Sequence, residues 1–278
     1  MKKCPICELN YIQDSAAVCK ICYGQNYKAR ELAKQKEKLR ALELKQEKLK
    51  KEKEEKLRRL QLEQEKKQEL LDKLYSYGFE GFLHTANMDN FISIYKSGFL
   101  YSREELIQLR IPFQDNAMKE IIDGTTTFIK EKTRFYYKPI TPTNISAYKN
   151  YKQTRPVLMV FEPSLIFNQN VYFSDGCARA YNTITTKDPN SAIRFHWDRI
   201  FDRTPLHEIP EDELNKYDPV HYRNAEFLYP NKVSTDKIIK IYFKRKSDID
   251  YAISQVGNDP RFILDNSKFF GDYYDTLY

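Results

Sequence analysis

The stretch HYRNAEFLYPNKV, residues 221–233, sets one carboxylate, Glu226, inside an otherwise apolar run. Turn residues bound it, Tyr-Arg-Asn before and Pro-Asn after, so it reads as a short strand. Alternate side chains of a strand face opposite ways. That pattern would put Asn224, Glu226 and Leu228 on one face and Ala225, Phe227 and Tyr229 on the other. Two meanings compete for Glu226. It is either an edge-strand side chain turned to water, or a carboxylate held by a rigid sheet at a cleft, where it can stabilise developing positive charge and accept a proton from a nucleophile. A second set of chemical groups lies near the start of the chain. Cys4, Cys7, Cys19 and Cys22 are spaced C-x2-C-x11-C-x2-C, and four thiolates from two short loops close a tetrahedral shell around Zn2+. The segment is too short to bury a core, so metal binding would supply its folding energy. With four sulfurs bound, no position stays open for catalysis, and the zinc is expected to be structural. By contrast, His196, His207 and His221 lack metal-ligand spacing, and Cys177 stands alone as a structural thiol. There is no phosphate-binding glycine loop and no nucleophile elbow.

These groups sit in three segments of different composition. Residues 1–27 hold the four cysteines and form a zinc ribbon. Residues 28–75 contain no Gly, Pro, Ser, Thr, Asn or β-branched residue, which predicts a continuous helix roughly 70 Å long. Leu39, Leu42 and Leu49 keep heptad spacing, and Leu57, Leu60, Leu71 and Leu74 resume it after a four-residue shift. Gln46, Lys53, Lys56, Gln64 and Lys67 fill the remaining seam positions, so a charge-stabilised single helix and a weak coiled coil that self-associates are both open. Residues 76–278 are rich in aromatics, with Pro, Asn, Thr and Asp returning, and form the globular domain. There, DNFISIYKSGFL reads as a helix ending at Gly98. SREELIQLR reads as another, with Ser102 and Glu105 forming a capping box. TRFYYKP, PVLMVFEP, NVYFSD, AEFLYP and KIIKIYFK read as strands. Strands interleaved irregularly with helices predict an α+β domain with a mixed sheet.

The formal net charge is +7, and residues 28–75 carry 17 Lys/Arg against 11 Asp/Glu, while residues 76–278 carry 26 of each. Affinity for nucleic acid from bulk charge would therefore come from the helical segment. No run of 18 apolar residues exists, so no membrane span is expected. The opening MKKCPICELN lacks the apolar region of a secretory signal. Four clustered cysteines fit a reducing cytoplasm.

Several blocks of the globular segment, in order, resemble the DarT family of ADP-ribosyltransferases. LHTANMDNF is similar to the family's opening at His84 and Asn90, and KSGFLYSREEL resembles the helix end and Ser-Arg element that follow. TRFYYKPITPT, FSDGCA and RNAEFLYPNKV resemble further family blocks, the last being the one that carries the catalytic Glu. The likeness covers roughly residues 78–250, and TRFYYKPITPT and RNAEFLYP are its specific parts. The zinc segment and the long helix lie outside it.

The resemblance implies an ADP-ribosyltransferase-like fold that transfers ADP-ribose from NAD+ to a nucleic-acid base, with Glu226 as the catalytic carboxylate. It implies NAD+ contacts from His84, Asn90, Tyr136 and Arg134. Arg103 is the expected cofactor-orienting catalytic arginine, with Lys119 and Arg134 as competitors. Asn224 and Arg223 are expected to meet the substrate, although the family often has Gln where Asn224 stands. Residues 201–222 would form the acceptor-recognition loop. Single-stranded DNA is the favoured substrate, with RNA or a protein side chain as alternatives. From the same resemblance come a toxin or anti-phage role and an antitoxin partner, either a hydrolase that removes ADP-ribose or a direct binder. A different class, a non-enzymatic adaptor that uses the ribbon and basic helix to bind nucleic acid, is opposed by the retention of Glu226, His84 and Arg103.

Overall fold

A computed structural model gives the fold, and it describes residues 1–270 apart from 14, 17, 116–118, 152 and 215. The chain divides into two compact units, Met1–Leu62 and Glu63–Tyr278.

In the first unit a short strand pair, Lys2–Lys3 against Tyr11–Ile12, leads to a helix that runs Lys20–Ser76. Composition began this helix at residue 28, because Gly24 and Asn26 are poor helix formers. Each costs about 1 kcal/mol or less in a helix, and extending a helix already nucleated is easy. The earlier start puts Cys22 in the first turn. Pairs such as Glu47–Lys51 and Glu55–Arg59 link the exposed surface at i,i+4. Leu39, Leu42, Leu49 and Leu57 are each more than half exposed in the single chain.

The end of the same helix is part of the second unit. Leu70, Leu71 and Leu74 are buried in its main core. Gln64 Nε2 donates to Phe167 O at 3.2 Å, Lys67 Nζ to Asn168 O at 2.8 Å and Lys73 Nζ to Ile193 O at 2.8 Å. The boundary that composition set after residue 75 therefore falls inside packed structure. Helix propensity alone does not distinguish a solvated helix from one whose last turns carry a core face.

Eight strands organise the second unit: β1 Phe82–Asn87, β2 Lys132–Tyr136, β3 Pro156–Phe161, β4 Tyr172–Ser174, β5 Thr185–Thr186, β6 Glu226–Pro230, β7 Ile238–Phe243 and β8 Phe262–Leu264. Their order is β8-β7-β3-β1-β2-β6-β4-β5. β7 and β8 are parallel, and every other neighbouring pair is antiparallel. The sheet is mixed and helices lie among the strands, as the α+β expectation had it. β3, PVLMVF, is buried along its whole length, the pattern of a central strand covered on both faces. Phe82, Phe135, Phe161, Phe173 and Phe227 are all fully buried, with Phe82 stacked on Phe227 at 3.8 Å between centroids. This aromatic layer keeps β1, β2, β6 and β4 rigid against one another.

The anticipated strand runs each contain a strand, and both anticipated helix ends are present. The Met88–Ser97 helix closes at Gly98, whose φ of 76° is left-handed, and the Arg103–Gln108 helix begins with the Ser102–Glu105 capping box. One register expectation fails. A short helix, Pro219–Arg223, is capped at its start by Asp218 and at its end by Asn224. The strand starts only at Glu226, so Asn224 does not share its alternation.

Candidate active site

Glu226 opens β6 with its Cα opposite Tyr136 of β2, and it is 1% exposed. Both carboxylate oxygens are engaged. Oε1 accepts from Arg134 Nε at 3.1 Å and from Arg134 Nη2, and Oε2 accepts from the backbone N–H of Ala178 at 2.8 Å. The main chain is held as well. Glu226 N donates to Ser174 Oγ at 3.0 Å, Ser174 Oγ donates to Gly176 O at 2.7 Å, and Tyr137 OH donates to Glu226 O at 3.2 Å. The FSDGCA run thus crosses beside β6, fixes its first peptide through Ser174 and delivers the Ala178 N–H to the carboxylate. The edge-strand alternative, a Glu turned to water, is excluded by this burial.

Arg134 separates the carboxylate from a cleft of about 490 Å3. His84, Asn90, Arg103, Arg134, Tyr136 and Asn224 all line it. Burial works against the charge of Arg134, but the neighbouring Glu226 carboxylate offsets this and raises the guanidinium pKa. Tyr136 is raised by burial and then by Glu226, so its phenol stays protonated. His84 is lowered, chiefly by burial, and its Nδ1 lies 3.0 Å from Arg134 O. A carbonyl only accepts, so neutral His84 carries its proton on Nδ1 and leaves Nε2 as an acceptor.

The other expected ligands are positioned differently from one another. Arg103 stands at the start of its helix in a bidentate pair with Asp115, its guanidinium 5.4 Å from the centre of the Phe113 ring. It does not touch Glu226; Arg134 is the arginine that does. Asn90 clasps the backbone of Gln114, donating to its O and accepting from its N, each at 2.8 Å, and Asn87 Nδ2 donates to Gln114 Oε1 at 2.8 Å. Asn224 Oδ1 accepts from Thr143 N at 3.0 Å and Thr143 Oγ1 at 2.9 Å, while its Nδ2 donates to Val220 O. Its amide therefore ties the Pro219–Arg223 helix to the start of the Pro142–Lys149 helix. Arg223 is not brought to the cleft: it is 3% exposed, and its Nη2 donates to Asp202 Oδ2 and Thr204 O, each at 2.6 Å. The helix that precedes β6 turns it away from Glu226. The side chain of Lys119 lies outside the described residues.

Sequence reading missed Ser174, Ala178, Gln114 and Asp115, and it gave Cys177 only a structural role. Cys177 lines the cleft, with Sγ 3.9 Å from Arg134 Nη2. The FSDGCA block carried a signal for the first two. Nothing local marks Gln114 or Asp115, whose partners are 12 to 27 residues away.

In the first unit the ligand atoms of Cys4, Cys7, Cys19 and Cys22 all lie within 4.8 Å of one another. Cys19 N donates to Cys4 Sγ at 3.3 Å and Asn10 Nδ2 to Cys19 Sγ at 3.5 Å. Such donors favour thiolates, and the four sulfurs fit a tetrahedral Zn2+.

Residues 83–270 match a family model described as DarT, ssDNA thymidine ADP-ribosyltransferase. Among solved structures, Thermus sp. 2.9 DarT in complex with ADP-ribosylated ssDNA is similar, at 14% identity and a TM-score of 0.55, covering 68% of this chain and 95% of that one. The same protein in complex with NAD+ gives 13% and 0.53, covering 68% and 96%. Thermosipho africanus DarTG in complex with ADP-ribose gives 16% and 0.56, covering 69% of this chain and 51% of that one. At these identities the likeness is one of fold. No curated protein matches the sequence.

Proposed function

Because the chain belongs to the DarT family of ssDNA thymidine ADP-ribosyltransferases, we propose that it joins ADP-ribose from NAD+ to thymidine in single-stranded DNA, with Glu226 as the catalytic carboxylate. The observation that carries this reading is the placement of Glu226, locked between the Ala178 N–H and Arg134, the residue that lines the cleft in front of it.

NAD+ supplies an ADP-ribosyl group on a labile bond to nicotinamide, and cleavage of that bond builds positive charge on the ribose, as in glycoside chemistry. The Glu226 carboxylate faces that charge from a rigid strand and stabilises it. The nicotinamide C–N bond breaks with its electron pair leaving on nicotinamide. A new bond forms from the ribose carbon to the base, and the base proton passes to Glu226. Arg134 holds the carboxylate until the cleft fills and then orients it. His84 Nε2, an acceptor, suits a ribose hydroxyl, and the protonated Tyr136 ring offers a face for nicotinamide. Arg103 matches a pyrophosphate bidentately, with the Asp115 carboxylate holding its place. Asn90 acts on NAD+ through the Gln114 backbone it clasps, and Asn224 shapes the acceptor side through the two helices it joins.

Zinc in the ribbon is part of the same proposal: Cys4, Cys7, Cys19 and Cys22 would hold one Zn2+ with no open position. Adducts that block template bases injure the cell that makes them, which supports a toxin or anti-phage role and an antitoxin partner. Four thiolates kept reduced favour the cytoplasm, and no helix among the described residues is long and apolar enough to cross a membrane. The exposed row Leu39, Leu42, Leu49 and Leu57 offers a seam for weak self-association.

Incubation with labelled NAD+ and separate pools of single-stranded DNA, duplex DNA, RNA and protein tests the reading. The expected result is label on thymidine-containing single strands, with mass spectrometry finding one ADP-ribosyl group per modified thymidine. Label confined to RNA or protein would overturn the acceptor, and no transfer to any pool would favour the adaptor.

A further inference from the structure

The sheet face that carries Arg134 and Glu226 continues beyond them. Arg134 lies opposite Leu228, and Leu228 lies opposite Tyr172 of β4. Residues directly opposite share a face, and strands are about 4.8 Å apart, so Tyr172 stands roughly 10 Å from Arg134 across the sheet. Its ring meets Phe128 edge-on, at 4.9 Å and 83°. Phe128 is 39% exposed and belongs to the short Thr127–Lys130 helix, whose Ile129 and Lys130 line the cleft. Lys132 Nζ lies 5.0 Å from the centre of the Phe128 ring, and Lys187 Nζ lies 4.8 Å from that of Tyr172. Lys130 and Arg179 also line the cleft, and among the described residues their side chains have no hydrogen-bond or ion-pair partner. The segment entering the Pro219–Arg223 helix has the opposite charge: Glu208, Glu211, Asp212, Glu213 and Asp218 stand against Lys216 alone. Phosphates are repelled there and attracted along the Lys130–Lys187 side.

We infer that the Phe128–Tyr172 pair, with Lys132 and Lys187, is a second DNA subsite that stacks a base one or two nucleotides from the acceptor thymidine. Aromatic faces beside ammonium groups are how single-stranded nucleic acid is held without a sequence requirement: bases stack on the rings and phosphates meet the cations. Without DNA the two lysine side chains lie over the rings, Lys132 Nζ also 3.9 Å from Glu131 Oε2 and Lys187 Nζ donating to Asn170 Oδ1 at 3.3 Å. With a strand bound, they reach its phosphates and leave the rings to the base. The inference rests on the acceptor class proposed above and adds where the strand runs.

Oligonucleotides holding one thymidine, lengthened a nucleotide at a time on either side, test it by direct binding and by transfer. In the parent, affinity should rise stepwise once the flank reaches the subsite. Phe128→Ala should lose about tenfold affinity for the long oligonucleotides, while turnover of the shortest one stays within about twofold and Phe128→Trp restores the loss. Lys187→Glu, on an exposed side chain, should lower the salt slope of binding by about 0.7, the share of one phosphate on a single strand, and it provides an independent arm if Phe128→Ala does not fold. A parent that modifies single-stranded DNA with no gain from flanks, or variants that bind long strands as the parent does, would remove the subsite and leave the proposed function standing. A parent that neither binds nor modifies single-stranded DNA would remove both.

Discussion

At the scale of single residues, the site depends on which charges and protons are fixed before substrate arrives. Glu226→Gln keeps the shape and the Ala178 hydrogen bond but removes the charge that the proposed function sets against the ribose and the site it gives the base proton. Transfer should fall by about 10²–10³ or more with the fold retained, measured as single-turnover modification of a thymidine oligonucleotide; near-parental rates would reject the assignment. His84 gives a pH signature. Its folded pKa lies below the ordinary 6.5, so lowering the pH through 6.5 should leave NAD+ use intact until the depressed value is reached. Then Nε2 becomes a donor and can no longer accept from the ribose hydroxyl that the proposed function gives it. Stability moves the same way. The unfolded chain takes up the proton first, so it binds more protons than the folded chain between the two pKa values, and stability falls as the pH falls through that window. His84→Gln should flatten that part of the stability profile, and a slope unchanged in the variant would assign it to another group. Glu226 and His84 were legible as candidates because each lies in a run whose neighbours also carry the family resemblance. The roles of Asn90 and Arg103 were not, since the groups that occupy them, Gln114 and Asp115, are set by loop closure over many residues.

Elements explain where the sequence pattern misled. The apolar run after Asn224 looks like a strand from its start, yet Asp218 and Pro219 begin a helix whose cap is Asn224. Period-two alternation was therefore counted two residues too early. Similarly, the charged helix reads as uniform along its length, but its end supplies Leu70, Leu71 and Leu74 to the core. Each such leucine contributes about 1.5–3 kcal/mol when fully buried, against total stabilities of about 5–15 kcal/mol for whole domains. A chain beginning at Glu63 should fold cooperatively and transfer ADP-ribose. One beginning at Tyr75 should lose most of its stability, with Phe79 and Phe82 left partly uncovered. Urea titration of the two compares them directly, and equal midpoints would show that the last turns of the helix are dispensable.

Across the whole molecule, charge and chemistry are divided between the units. Residues 1–62 carry 17 Lys/Arg against 9 Asp/Glu, and residues 63–278 carry 29 against 30, so the net positive charge belongs to the unit without the cleft. In the nearly neutral second unit counterion release is confined to local lysines such as Lys132 and Lys187, whereas the ribbon and basic helix can neutralise further phosphates on any sequence. Removing residues 1–62 should therefore lower affinity for long single strands and flatten the salt dependence by about 0.7 for each phosphate no longer neutralised, while transfer at saturating oligonucleotide persists. Metal analysis should find one Zn2+ per full-length chain and none in the shortened one, and a strong chelator should reproduce only that part of the affinity loss that depends on the ribbon's fold. If the shortened chain binds DNA with the parent's salt slope, the basic unit meets a protein or a second copy of itself instead, and sedimentation of the full chain across a concentration series would separate those two.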